Sequence, residues 1–65
     1  MQVVINHQPH ELPAGATLAD AIRVLQPQPP FAAALNLQFV PRGAYAQQPL
    51  QSGDRIEIIA PVTGG

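Results

Sequence analysis

The chain has 65 residues, room for one domain near the lower size limit for folding alone, and 46% of them are hydrophobic. It has no cysteine, which excludes a disulfide scaffold, a thiolate metal site and a cysteine nucleophile. The formal net charge is −1, with three arginines and no lysine, so no basic patch can neutralise a phosphate backbone and nucleic acid is not an expected partner.

The N-terminal MQVVINHQ lacks the basic start and long apolar stretch of a secretory signal. No apolar run reaches the ~20 residues that span a bilayer. A cytoplasmic protein without membrane contact is expected. Gln2 to Ile5 reads as a strand, with Val3 and Ile5 on one face and Val4 on the other. Asn6-His7-Gln8-Pro9 reads as a turn, and His10 to Leu12 as a short return strand that Pro13-Ala14-Gly15 ends. The clear helix signal is TLADAIRVLQ. Thr17 suits the N-cap, and Asp20 three residues on gives a capping-box-like pattern with negative charge at the positive helix end. Leu18, Ile22 and Leu25 form one apolar stripe, widened by Ala21. Pro27 stops the helix and opens a stiff extended connector to Pro30.

FAAALNLQFV reads either as one strand or as a hairpin turning near Asn36. Pro41 to Gln51 reads as irregular loop, Ser52-Gly53-Asp54 as a turn, and Arg55 to Ala60 as the last strand, stopped by Pro61. One helix must cover one sheet, which predicts a two-layer α+β domain over residues 1–65. Val3, Ile5, Leu18, Ile22, Leu25, Ile56 and Ile58 are its expected core.

Internal residues offer little catalysis. His7 and His10 flank a predicted turn, and no further Cys or His completes a metal site. Asp20 and Asp54 suit a cap and a turn, which leaves no paired carboxylates for acid–base work. The C-terminus differs. After the Pro61 stop, two glycines make residues 61–65 a slim tail that can extend ~17 Å at about 3.4 Å per residue. That reach suffices to carry the terminal carboxylate into the active site of another protein. Val4 and Ile59 would remain apolar on the sheet face that the helix does not cover, a second sign of a partner.

FVPRGAYA, PLQSGDRIEII and the closing Gly64-Gly65, together with AGATLADAI at the helix start, resemble the small sulfur carriers of thiamin biosynthesis. The most specific element is Val40-Pro41-Arg42 followed by Tyr45, then Gly53-Asp54 and the terminal glycines. The resemblance implies a ubiquitin-like β-grasp fold, with one helix on a mixed four- to five-stranded sheet, a tight hairpin in ALNLQFV and a flexible tail. It implies that an E1-like adenylyltransferase uses ATP and Mg²⁺ to adenylate the Gly65 carboxylate. Persulfide sulfur from a cysteine desulfurase then yields a thiocarboxylate, which donates sulfur to thiazole synthase. The chain would be a monomeric cosubstrate that binds no cofactor or metal itself, with Gly64 threading a narrow channel. Val4, Arg42, Tyr45, Ile59 and Pro61 would meet the partner. For Arg42 and Tyr45 the alternatives are a local carbonyl cap and a place in the core. The small subunit of molybdopterin synthase shares the β-grasp fold and Gly-Gly end, and APVTGG leans toward it. A ubiquitin-like modifier joined to lysine and an interaction module with an inert tail are the other readings.

Overall fold

The computed structural model describes residues 1–60. Its elements are β1 (Gln2–Ile5), β2 (Gln8–Glu11), α1 (Leu18–Leu25), β3 (Ala32–Leu35), β4 (Gln38–Val40), a 3-10 helix (Arg42–Gln47) and β5 (Arg55–Ile59). The strands form one five-stranded sheet in the order β2-β1-β5-β3-β4. β1 and β5 are parallel at its centre, and the other neighbours are antiparallel. With α1 crossing one face this is the β-grasp arrangement, and the sheet is mixed as expected.

Both hairpins close through two-residue turns with left-handed backbone, Asn6 (φ 49) with His7 (φ 70) and Asn36 (φ 51) with Leu37 (φ 70). Asparagine tolerates that region because its short amide bonds locally, and such turns match the twist of the strands they join. FAAALNLQFV is therefore a hairpin. The first turn is shorter than expected, so Gln8 and Pro9 belong to β2, where Pro9 lies opposite Val4. A proline fits there because β2 is an edge strand with nothing beyond it to bond.

α1 begins as the sequence implies. The Asp20 carboxylate accepts hydrogen bonds from the Thr17 N–H (2.9 Å) and hydroxyl (3.2 Å). Gln26, left-handed at φ 53, ends the helix just before Pro27. The connector bends at Pro29 and Pro30, whose peptide is cis, where an extended run was expected.

Val3, Ile5, Leu18, Ile56 and Ile58 are buried together as predicted. Ile22 and Leu25 are only half-buried, packed against the rim of this cluster. The reason is that α1 is short and turns Ala21 inward, fully buried, between Leu18 and Ile22. Leu12, Ala16, Ala33, Val40 and Leu50 complete the core. Two of these are buried by a strap. The Leu18 N–H bonds to the Gln48 carbonyl (2.8 Å) and the Leu50 N–H to that of Ala16 (3.0 Å), so 48–50 runs beside the start of the helix. The region 41–51 is thus not irregular throughout. It holds the six-residue 3-10 helix and this strap. The turn before β5 closes with Gln51 N–H on Asp54 Oδ2 (2.8 Å), and Gly53 sits at φ 90, where a side chain would be strained.

Candidate functional site: the open sheet face and the end of β5

β5 lies between β1 and β3, and its alternation decides what each sheet face presents. Ile56 and Ile58 point to the helix and are 1% and 8% exposed. Arg55, Glu57 and Ile59 alternate to the open face. Ala32 lies opposite Ile59, and Ala34 lies between Glu57 and Phe39. Small alanines beside larger apolar neighbours leave Ile59 (59% exposed) and Phe39 (70%) standing proud, with Leu37 in the adjoining turn at 85%. These side chains are exposed on the side of the sheet that the helix does not cover.

Val4 is on this same face, half-buried, but lies opposite Arg55, four residues along β5 from Ile59. That is about 13 Å at ~3.3 Å per residue. Val4 instead lines a depression with His7, Leu37, Arg55, Ile56 and Glu57. Arg42 and Tyr45 belong to the 3-10 helix, which packs against α1 rather than lying on the open face. Arg42 is exposed there. Tyr45 is half-buried against the core and stacks on Phe31, ring centroids 6.2 Å apart and planes 13° apart. Tyr45 thus packs on the rim of the core, with part of its ring still exposed. Pro61, Gly64 and Gly65, and with them the tail 61–65, lie outside the described residues.

Phe39 and Leu37 were not singled out from the sequence. Their signal was present in LNLQFV, but it is readable only once the hairpin is accepted. A turn at Asn36-Leu37 sends Val40 inward and leaves Phe39 outward. Among the described residues no group of three His, Cys, Asp or Glu could hold a metal ion. His7 sits in the first turn and His10 opposite Val3. Among those residues, no helix is long and apolar enough to cross a membrane. The carboxylate whose pKa is displaced lies away from this face. Asp20 is held below the usual carboxylate value, first by the Thr17 backbone N–H, then by the Thr17 hydroxyl and the Arg23 charge, against an opposing desolvation.

The central strand β5 therefore carries Arg55, Glu57 and Ile59 to the uncovered face, and Ile59 is its last residue. Comparison with known proteins agrees with this architecture. The sulfur carrier protein ThiS of Escherichia coli (strain K12) is 38% identical over 66 aligned residues, covering 100% of both chains. The crystal structure of the thiamine biosynthesis protein ThiS from Geobacter metallireducens superposes with a TM-score of 0.80 over 100% of both chains at 19% identity, which speaks for the fold. The model of the ThiS family matches residues 3–65, and the chain belongs to that family.

Proposed function

We propose that this chain is a sulfur carrier of thiamin biosynthesis, a protein cosubstrate rather than a catalyst. The observation that carries the reading is the family match through residues 3–65, which takes in the terminal Gly64 and Gly65. The 38% identity to the Escherichia coli carrier along the whole chain supports it. It favours the thiamin pathway over the molybdopterin alternative.

The chemistry follows from what a carboxylate lacks. Its oxygen is a poor leaving group, so Gly65 must be activated. An E1-like adenylyltransferase, which brings the ATP and Mg²⁺, lets the Gly65 carboxylate attack the α-phosphorus and release pyrophosphate. The terminal sulfur of a persulfide, supplied through a cysteine desulfurase, displaces AMP from the acyl-adenylate. Reduction of the resulting acyl disulfide by a thiol frees the thiocarboxylate. That group gives its sulfur to thiazole synthase. The described domain supplies recognition. Phe39, Leu37 and Ile59 on the open face dock on the activating enzyme, with Val4 at the edge of the contact. Arg42, exposed on the 3-10 helix, offers a positive charge to an acidic group of that enzyme. Dependence on ATP and on a reduced thiol supports a cytoplasmic location.

ATP–pyrophosphate exchange with the activating enzyme, followed by intact mass measurement for replacement of one oxygen by sulfur, tests the reading. Deleting Gly65 shifts the carboxylate by ~3.5 Å. Misplacement of a reacting group by about 1 Å can already cost 10²-fold in rate. The deletion is expected to abolish exchange without changing stability. Sulfur uptake at the parental rate by the deletion would make the tail inert and end the carrier reading. Gly64→Val keeps the carboxylate in register and is expected to slow exchange through bulk alone.

A further inference from the structure

We propose that Asn6 is a positioning residue that fixes the end of β5, and with it the point from which the chain leaves the domain toward its reacting terminus. The functional half of this rests on the carrier reading above. The structural half rests on how the parallel ladder between β1 and β5 is finished.

That ladder runs regularly at first. The Val4 N–H bonds to the Asp54 carbonyl and the Asn6 N–H to the Ile56 carbonyl, both at 2.9 Å. The next rung of a parallel ladder takes the Ile58 N–H to the carbonyl of Asn6. Asn6, however, is the first residue of the hairpin turn, with φ 49, and the strand ends at Ile5. The missing rung is supplied by its side chain. Asn6 Oδ1 accepts the Ile58 N–H at 2.8 Å, across 52 positions of sequence. Ile58 is 8% exposed, so without this acceptor a buried donor would be left without a partner. Asparagine and aspartate are the residues that combine tolerance of left-handed backbone with a carbonyl oxygen at that reach.

The opposite end of β5 is held in the same way from the other hairpin. Asn36, at φ 51, uses Oδ1 to accept the Arg55 N–H at 2.9 Å and Nδ2 to reach Asp54 Oδ1 at 3.1 Å. The two clamps differ in place. Asn36 fixes where β5 begins. Asn6 fixes its last residues, next to the exposed Ile59. It therefore anchors Ile58, two residues before the end of the described chain.

Asn6→Gly keeps the positive φ at no steric cost and removes the acceptor. Asn6→Asp keeps both the backbone preference and an acceptor oxygen. Two readouts are taken on the full chain, amide hydrogen exchange by NMR and steady-state ATP–pyrophosphate exchange with the activating enzyme. In Asn6→Gly the Ile58 amide is expected to exchange about 10-fold faster, the size of change that follows when a buried donor loses its partner. Val3 and Ile5 should shift by less. The rate of adenylation is expected to fall about 10-fold, mainly in kcat, with KM within ~2-fold, since misplacement of a reacting group acts on the chemical step. Asn6→Asp should restore both. Uniformly faster exchange across β1 and β5, with activity falling only as stability falls, would reduce Asn6 to a general structural role and overturn the proposal. So would a parental kcat despite faster exchange at Ile58. If the parent chain itself supports no exchange of pyrophosphate, the carrier reading fails. The Ile58 amide then decides alone whether Asn6 fixes the end of β5.

Discussion

The two faces of the sheet both carry large apolar side chains, but in opposite surroundings. On the helix side Val3, Ile5, Ile56 and Ile58 meet Leu18 and Ala21 and are buried almost completely. On the open side Ile59, Phe39 and Leu37 are just as apolar and are left in solvent. Ile58 and Ile59 are neighbours in one strand, yet they differ from 8% to 59% exposed. Residue type therefore says little about role here. The period of two along β5, together with the single helix available to cover one side, separates side chains that hold the fold from side chains free for recognition.

The sharpest way to break this contrast is to truncate the covered face. Leu18 is fully buried beneath the sheet, and Leu18→Ala is expected to cost about 2–5 kcal/mol. Total stability of a domain this small is only about 5 kcal/mol, so the variant should be largely unfolded in a chemical denaturation experiment. Ile22→Ala, made on a half-buried side chain of the same helix, should lower the midpoint clearly less. Equal losses would mean that the helix presents a different face from the one described.

The open face predicts the reverse pattern. Ile59→Asp and Phe39→Asp leave the core untouched and should move stability by no more than about 0.5 kcal/mol. If the open face docks on the activating enzyme as proposed, each should weaken that binding by at least ~10-fold, because apolar anchors at the centre of an interface carry much of its energy. Arg42→Ala should have a smaller effect that fades as salt is raised, as expected of a charge at the rim. Full affinity in both aspartate variants, with the fold intact, would remove the open face from the docking account.

Much of the covered face was legible in the sequence, and the open face less so. Val3, Ile5, Ile56 and Ile58 sit in β-branched runs whose alternation needs no partner to be read. The Thr17–Asp20 helix start is equally local. What the residues left open was the FAAALNLQFV segment, because an apolar run with Asn36 at its centre suits either a strand or a two-residue turn. The family resemblance implied the hairpin, and the left-handed Asn36 and Leu37 show it. The 3-10 helix at Arg42–Gln47 was missed because RGAYAQ has no periodic apolar stripe. Its packing is with α1 and through Phe31 stacked on Tyr45, contacts between residues distant in sequence. Leu12, Ala16 and Leu50 were missed from the core for a related reason. They lie outside the helix and strands, and they are buried by the strap of 48–50 and by turns that no local pattern announces.

The smallest effect expected concerns the helix start, and it separates the two faces by pH. The Thr17 N–H, and to a smaller extent the Thr17 hydroxyl and the Arg23 charge, hold the Asp20 pKa below the ordinary value of 3.8. The unfolded chain loses those partners and titrates near the ordinary value. The contribution of the Asp20 charge is thus complete above the unfolded pKa. It is lost as pH falls through the lower folded pKa, when the carboxylate takes up a proton in both states. The neutral amide of an Asp20→Asn variant mimics the protonated side chain at every pH. Parent and variant should therefore differ modestly in denaturation midpoint at about pH 7, and the difference should shrink as pH falls below the ordinary carboxylate value. Taking the difference between the two chains cancels the titration of the other carboxylates, which both chains share. Binding of the variant to the activating enzyme should be unchanged at about pH 7, because the N-terminus of α1 lies in the helix layer and not on the open face. A midpoint difference that stays constant across the titration would mean that the Asp20 charge contributes nothing through its pKa. Weakened binding at parental stability would mean that the helix layer shares in recognition, and the division of labour between the two faces would have to be withdrawn.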